Sequence, residues 1–146
     1  MKLRVLLVGL LLTACGSTEP LVVLRSTEGH VIRIRTELAR TPEEQAHGLM
    51  GRTAMEPGTG MLFLFQAERP LAFWMKNTLI PLDVLYFDEG GNYVSSVTMM
   101  PCEKDPCRTY PSSKPAKYAL EVPEGLIRQY GFDDRWRMEL QMPEEQ

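Results

Sequence analysis

The chain has 146 residues, 44% of them hydrophobic and 24% charged, with a formal net charge of −3 and a pI near 5.4. That length accommodates one domain and excludes two catalytic ones. The acidic balance argues against a nucleic-acid partner, which would need a basic face.

In chain order, the first segment reads as a targeting signal. Lys2 and Arg4 precede the apolar run Val5–Leu12, which suits the hydrophobic region of a signal peptide and is too short to cross a bilayer as a helix. Leu12-Thr13-Ala14-Cys15 then resembles the lipobox of bacterial lipoproteins. The resemblance implies cleavage before Cys15, acylation of its thiol and new amine, and a lipid anchor outside the cytoplasm. An ordinary cleaved leader with an incidental cysteine is the alternative. Residues 1–14 are therefore expected to be a leader, 15–20 the lipidated cysteine and its tether, and 21–146 a single domain. Which membrane holds the anchor stays open.

Leu21–Leu24 and Val31–Thr36 read as the strands of a hairpin around the turn residues Ser26-Thr27-Glu28-Gly29. Thr41-Pro42-Glu43-Glu44 spells a capping box with proline at the first helical position, and Gly48 can close the helix, so a two-turn helix is predicted over 42–48. A Gly- and Pro-punctuated loop follows over 50–60. Apolar runs at 61–65, 71–77, 82–87 and 93–99 predict strands, the last two joined by the turn Asp88-Glu89-Gly90-Gly91-Asn92. Residues 101–117, with four prolines, predict a long irregular loop. A strand over 117–122 and a short helical segment from Pro123 to Gly131 come next. Trp136, Met138, Leu140 and Met142 alternate with polar residues, the period of a half-buried strand. The predicted fold is mainly β (α+β): a compact antiparallel, barrel-like or sandwich sheet of about eight short strands with two short helices.

Cys102 and Cys107 are a close pair, and outside the cytosol such a pair predicts a disulfide. The spacing does not suit a thioredoxin-type motif, and no further cysteine or histidine stands nearby to complete a zinc site.

Four segments stand out together: Gly48-Leu49-Met50-Gly51-Arg52, Gly60–Phe65, Phe73-Trp74-Met75-Lys76-Asn77-Thr78-Leu79-Ile80-Pro81-Leu82-Asp83, and Ala119–Gly125. Their combination and order resemble the bacterial and archaeal family called domain of unknown function 192, over about residues 30–142. The family brings no settled activity, so the resemblance implies fold and compartment and leaves the chemistry to the residues.

Alternation along 71–78 sets Phe73, Met75 and Asn77 on one face and Trp74, Lys76 and Thr78 on the other. Two readings follow for the charged groups. Lys76 or Arg52 pairs with Asp83 or Glu121 and locks the sheet. Or Arg52, Trp74, Lys76, Asn77, Asp83 and Glu121 converge on a ligand, a carbohydrate or a peptide, with Trp74 as a stacking wall. Catalysis finds little support: His30 and His47 are the only histidines, and neither a nucleophile elbow nor a zinc-protease motif is present. Asp83 with Glu121 remains available as a glycosidase-like acid–base pair for a glycan- or peptidoglycan-directed hydrolase. The eight methionines beyond the expected leader could bind Cu(I), but most lie in apolar runs, which favours core packing, and neither a cofactor nor a metal is called for. The third option is an assembly module that offers an exposed apolar patch to another envelope protein. Oligomeric state is not legible.

Overall fold

The structure, a computed structural model, describes residues 19–143. The expected leader (1–14) and Cys15 lie outside the described residues. Among the described residues, nine strands and two helices run in the order β1 (Leu21–Ser26), β2 (Val31–Ala39), α1 (Pro42–His47), β3 (Thr59–Arg69), β4 (Ala72–Trp74), β5 (Leu82–Phe87), β6 (Tyr93–Met99), β7 (Thr109–Pro111), β8 (Ala116–Pro123), α2 (Leu126–Tyr130) and β9 (Trp136–Gln141).

Seven strands form one sheet in the order β6-β5-β8-β3-β2-β1-β9, and β4 pairs with β7 in a separate two-stranded ribbon. Every pairing is antiparallel except β2 with β3. That exception has a local cause: α1 and the loop behind it carry the chain back along the sheet, so β3 starts beside Arg35 and runs in the direction of β2. The capping box forms as the sequence predicts. The Thr41 hydroxyl accepts from Glu44 N at 3.2 Å, and the Glu44 carboxylate accepts from Thr41 N at 3.0 Å. Gly131 closes α2 in the left-handed conformation.

The sheet curls until its edges meet. Asn92 on the β6 side bridges Arg137 of β9, and Met138 N donates to Gly91 O at 2.7 Å. A Cβ on Gly91 would stand 2.3 Å from Met138 O, so the seam needs a residue with no side chain. The pleat divides the apolar residues between two cores. The inner one draws on β1, β2, β3, β5, β8 and β9 through Val22, Leu24, Ile34, Leu62, Leu85, Phe87, Leu120, Val122, Trp136 and Met138, with Phe132, and half-buried Tyr93 of β6 packs against it. The outer one holds Met61, Phe63, Leu82, Val84, Tyr86, Met99 and Ala119, together with Leu49, Leu71, Met75 and Tyr110 from the segments laid across it.

Two elements differ from expectation. The strand read over 71–77 is only Ala72–Trp74, because the chain turns at once: Thr78 N donates to Met75 O and Asn77 takes φ 58°. Its side chains therefore do not alternate past Trp74; Met75 and Thr78 are both buried. The irregular stretch 101–117 contains β7, which has partners only because the fold brings Thr109–Pro111 beside β4.

Candidate functional site

Strand register decides where the two acids of the motif segments point. Asp83 stands opposite Val122, and Val84 stands opposite Glu121. Residues directly opposite share a face and neighbours in sequence do not. Asp83 therefore faces the inner core and Glu121 the outer one. The sequence grouped them as one candidate pair; the sheet lies between them.

Asp83 is fully buried and fully engaged. Its carboxylate accepts from the Thr98 hydroxyl at 2.6 Å, from Gly125 N at 2.9 Å and from Ile127 N at 2.8 Å. Those backbone donors open α2, whose first turn has no other acceptor inside the helix. Asp83 thus anchors the helix to the sheet.

Glu121 is 4% exposed, and among the described residues nothing donates a hydrogen bond to its carboxyl. Every described side-chain oxygen or nitrogen wholly sealed from solvent has a hydrogen-bond partner. The Glu121 oxygens therefore keep a narrow opening to the outside. Across the sheet its direct neighbours are Met61 on β3 and Val84 on β5, both apolar. Burial in these surroundings pushes its pKa to about 8. Burial also pushes the phenol of Tyr86 well above its usual range, with the Glu121 charge adding to the effect. On the opposite, inner face the sheet is tight, since a Cβ on Gly60 would lie 2.6 Å from the backbone carbonyl oxygen of Glu121 and close to Val122 and Ile34.

One strand further along the same register row, opposite Met61, stands Glu37. It takes the Arg52 guanidinium at 2.5 Å, and this ion pair raises the Arg52 pKa. Glu37 was not singled out from the sequence; among charged residues alternating along β2 nothing marks it. The loop that carries Arg52 is tied to the next by Gly51 N donating to Asn77 O at 2.8 Å. That second loop carries Lys76, whose ammonium lies 5.7 Å from the Trp74 ring centroid and 3.3 Å from the Asp105 carboxylate. Asp105 sits inside the loop closed by the Cys102–Cys107 disulfide, whose Cα atoms are 5.6 Å apart. Trp74 is half exposed. Arg52, Trp74, Lys76, Asn77 and Glu121 thus belong to the outer face and the loops over it, and Asp83 does not. Neither Arg52 nor Lys76 pairs with Asp83 or Glu121; their partners are Glu37 and Asp105.

Three linked features of sequence and architecture now agree: the motif segments, the curled sheet that orders them, and a family model that matches residues 23–140. The chain belongs to the DUF192 family, described as an uncharacterised ACR. Among solved structures, this DUF192 domain is similar to a Sinorhizobium meliloti 1021 protein described as a candidate transcription regulator. The two share 33% identity at a TM-score of 0.75, over 85% of this chain and 94% of that one. It is also similar to a protein of unknown function from Novosphingobium aromaticivorans DSM 12444, at 32% identity and a TM-score of 0.74, over 82% and 83% of the two chains. No curated protein matches the chain.

The remaining candidates are placed as follows. His30 is exposed and stacks on Trp136 at 6.0 Å between ring centroids, and His47 is exposed at the end of α1. Met61, Met75, Met99 and Met138 are buried, while Met100 and Met142 are exposed. Among the described residues, the one group of cysteine, histidine or acidic side chains close enough to share a metal is Cys102, Asp105 and Cys107. The disulfide already occupies both of its sulfurs. An open cleft of about 560 Å³ runs beside β2 and is lined by Arg35, Glu37, Arg40, Thr41, Glu44 and Thr59 among others.

Proposed function

We propose that this DUF192 domain is a non-catalytic ligand-binding module held in the cell envelope by a lipid on Cys15. The observation that carries the binding reading is the Glu121 carboxyl. No described residue donates to it, and its oxygens keep an opening to the outside, so a hydrogen-bonding partner from beyond the chain can complete it. The ligand would meet Glu121 beneath the loops that carry Arg52, Trp74, Lys76 and Asn77, and a carbohydrate or a peptide suits this mixture of aromatic, cationic and amide groups.

Hydrolysis with Asp83 and Glu121 as acid and base would require both carboxyls beside one cleft. Their opposite faces, and the three hydrogen bonds that hold Asp83, weigh against it. The regulator description of the Sinorhizobium relative suggests DNA contact, which the net charge of −3 does not favour. An assembly module is supported by Trp74, Leu79 and Met100, which are 49%, 58% and 55% exposed on neighbouring segments.

A thermal-shift screen of the full chain against N-acetylated sugars, peptides and metal ions tests the binding reading, because a ligand specific to the folded state raises its melting temperature. No shift with any class would overturn it. The anchor is tested separately. Cys15→Ser is expected to move the protein from the membrane to the soluble fraction, and unchanged membrane association would overturn lipidation at Cys15.

A further inference from the structure

We propose that Glu121 anchors a site for an uncharged secondary amide, the group shared by N-acetylated sugars and peptides, with the carboxyl donating to the amide C=O and accepting from its N–H. This deepens the binding reading above and rests on it.

The argument starts from what surrounds the carboxyl. Its cross-strand neighbours are Met61 and Val84, and the same face continues through Phe63, Ala119 and Tyr86. A charged ligand group entering there would leave water for an apolar floor with only one counter-charge, at a cost that the pair's attraction commonly fails to recover. An amide carries no charge to desolvate. It presents one donor and one acceptor side by side, the complement of a neutral carboxylic acid, which also has one of each. Burial supports this, since it holds Glu121 in the protonated state at neutral pH.

Other ionisable groups around it do not replace that proton. Tyr86 from β5 spends its hydroxyl hydrogen on Tyr110 O at 2.6 Å, and Tyr110 from β7 receives Met100 N. From β2 and the following loop, Glu37 and Arg52 neutralise each other, and on β8 itself Lys117 pairs with Glu89. None of these groups sets a cation against Glu121, so at the carboxyl itself the donor is its own proton.

The test uses the full chain in detergent, with the backbone amide signals of Met61, Val84 and Glu121 followed by NMR. The probes are N-acetylglucosamine and N-acetyl-alanine amide, with glucosamine and alanine amide as charged counterparts. The two acetylated probes separate a sugar source from a peptide source. The expected result is that at least one of them shifts these signals at pH 7. Its affinity then falls roughly tenfold or more by pH 9.5, as the carboxyl loses its proton. Glu121→Gln keeps a donor and an acceptor and should bind without that pH dependence. The carboxyl carbon shift of wild-type Glu121 gives the same titration without any variant. Binding of the amines alone, or binding that strengthens above pH 8, would overturn the amide assignment. Shifts confined to signals near Trp74 and Arg52 would also overturn it, yet leave the binding reading standing. Silence from every probe, together with a blank thermal-shift screen, would end both.

Discussion

Asp83 and Glu121 sit one register step apart on adjacent strands and on opposite faces of one sheet. That single step gives two carboxyls of the same motif set unlike fates. Asp83 receives three donors in the inner core, and among the described residues Glu121 receives none in the outer one.

Removing the Asp83 acceptor leaves two backbone N–H groups and the Thr98 hydroxyl without their partner in a buried setting. Asp83→Ala is expected to destabilise the domain by about 3 kcal/mol, and Asp83→Asn by roughly half that, because the amide oxygen still accepts. Urea unfolding measures both. A cost below that of an ordinary surface substitution would show that α2 does not depend on this anchor.

Glu121 makes stability depend on pH with a defined sign. Its pKa rises from the ordinary 4.5 to about 8 on folding. The folded state therefore holds the proton more tightly, and the associated stability is complete below about pH 4.5 and declines as pH rises towards 8. Across that window the slope approaches about 1.4 kcal/mol per pH unit. Glu121→Gln removes the titration, so the variant should gain on the wild type steadily from pH 5 to pH 8. Parallel pH profiles for the two proteins would contradict the burial of this group.

The seam where the curled sheet closes tolerates no side chain at residue 91, where φ is +75° and a Cβ would collide with Met138 O. Gly91→Ala combines left-handed strain with a backbone collision and should cost more than about 2 kcal/mol. The loss should appear first as faster amide exchange in β9, because Met138 N donates across this seam. Unchanged exchange at Met138 would mean that the edges do not hold each other.

Reduction of Cys102–Cys107 opens a small loop, and the chain-entropy account assigns it about 2 kcal/mol. Asp105 lies inside that loop and grips Lys76, which covers the Trp74 ring. Reduction is thus expected to lower the melting temperature and to change Trp74 emission. Trp136 is buried in the inner core and serves as an internal reference. A shift in melting temperature without any change in emission would break the link from disulfide to Trp74.

Local chemistry alone carried a large share of this fold. Thr41, Pro42 and Glu44 specify α1 because a capping box is satisfied within four residues, and Gly131 ends α2 for an equally local reason. The strict alternation of 136–141 is β9, since the period of two needs only one buried face. The family, too, was legible, because its motifs are contiguous stretches of sequence. Tertiary structure alone decided the parallel pairing of β2 with β3, the existence of β7, and the site. Those depend on which distant segments lie side by side, and a one-residue change of register exchanges the faces of a strand. No short-range pattern states that Val84, rather than Asp83, stands opposite Glu121. That pairing separates a satisfied structural acid from an open one.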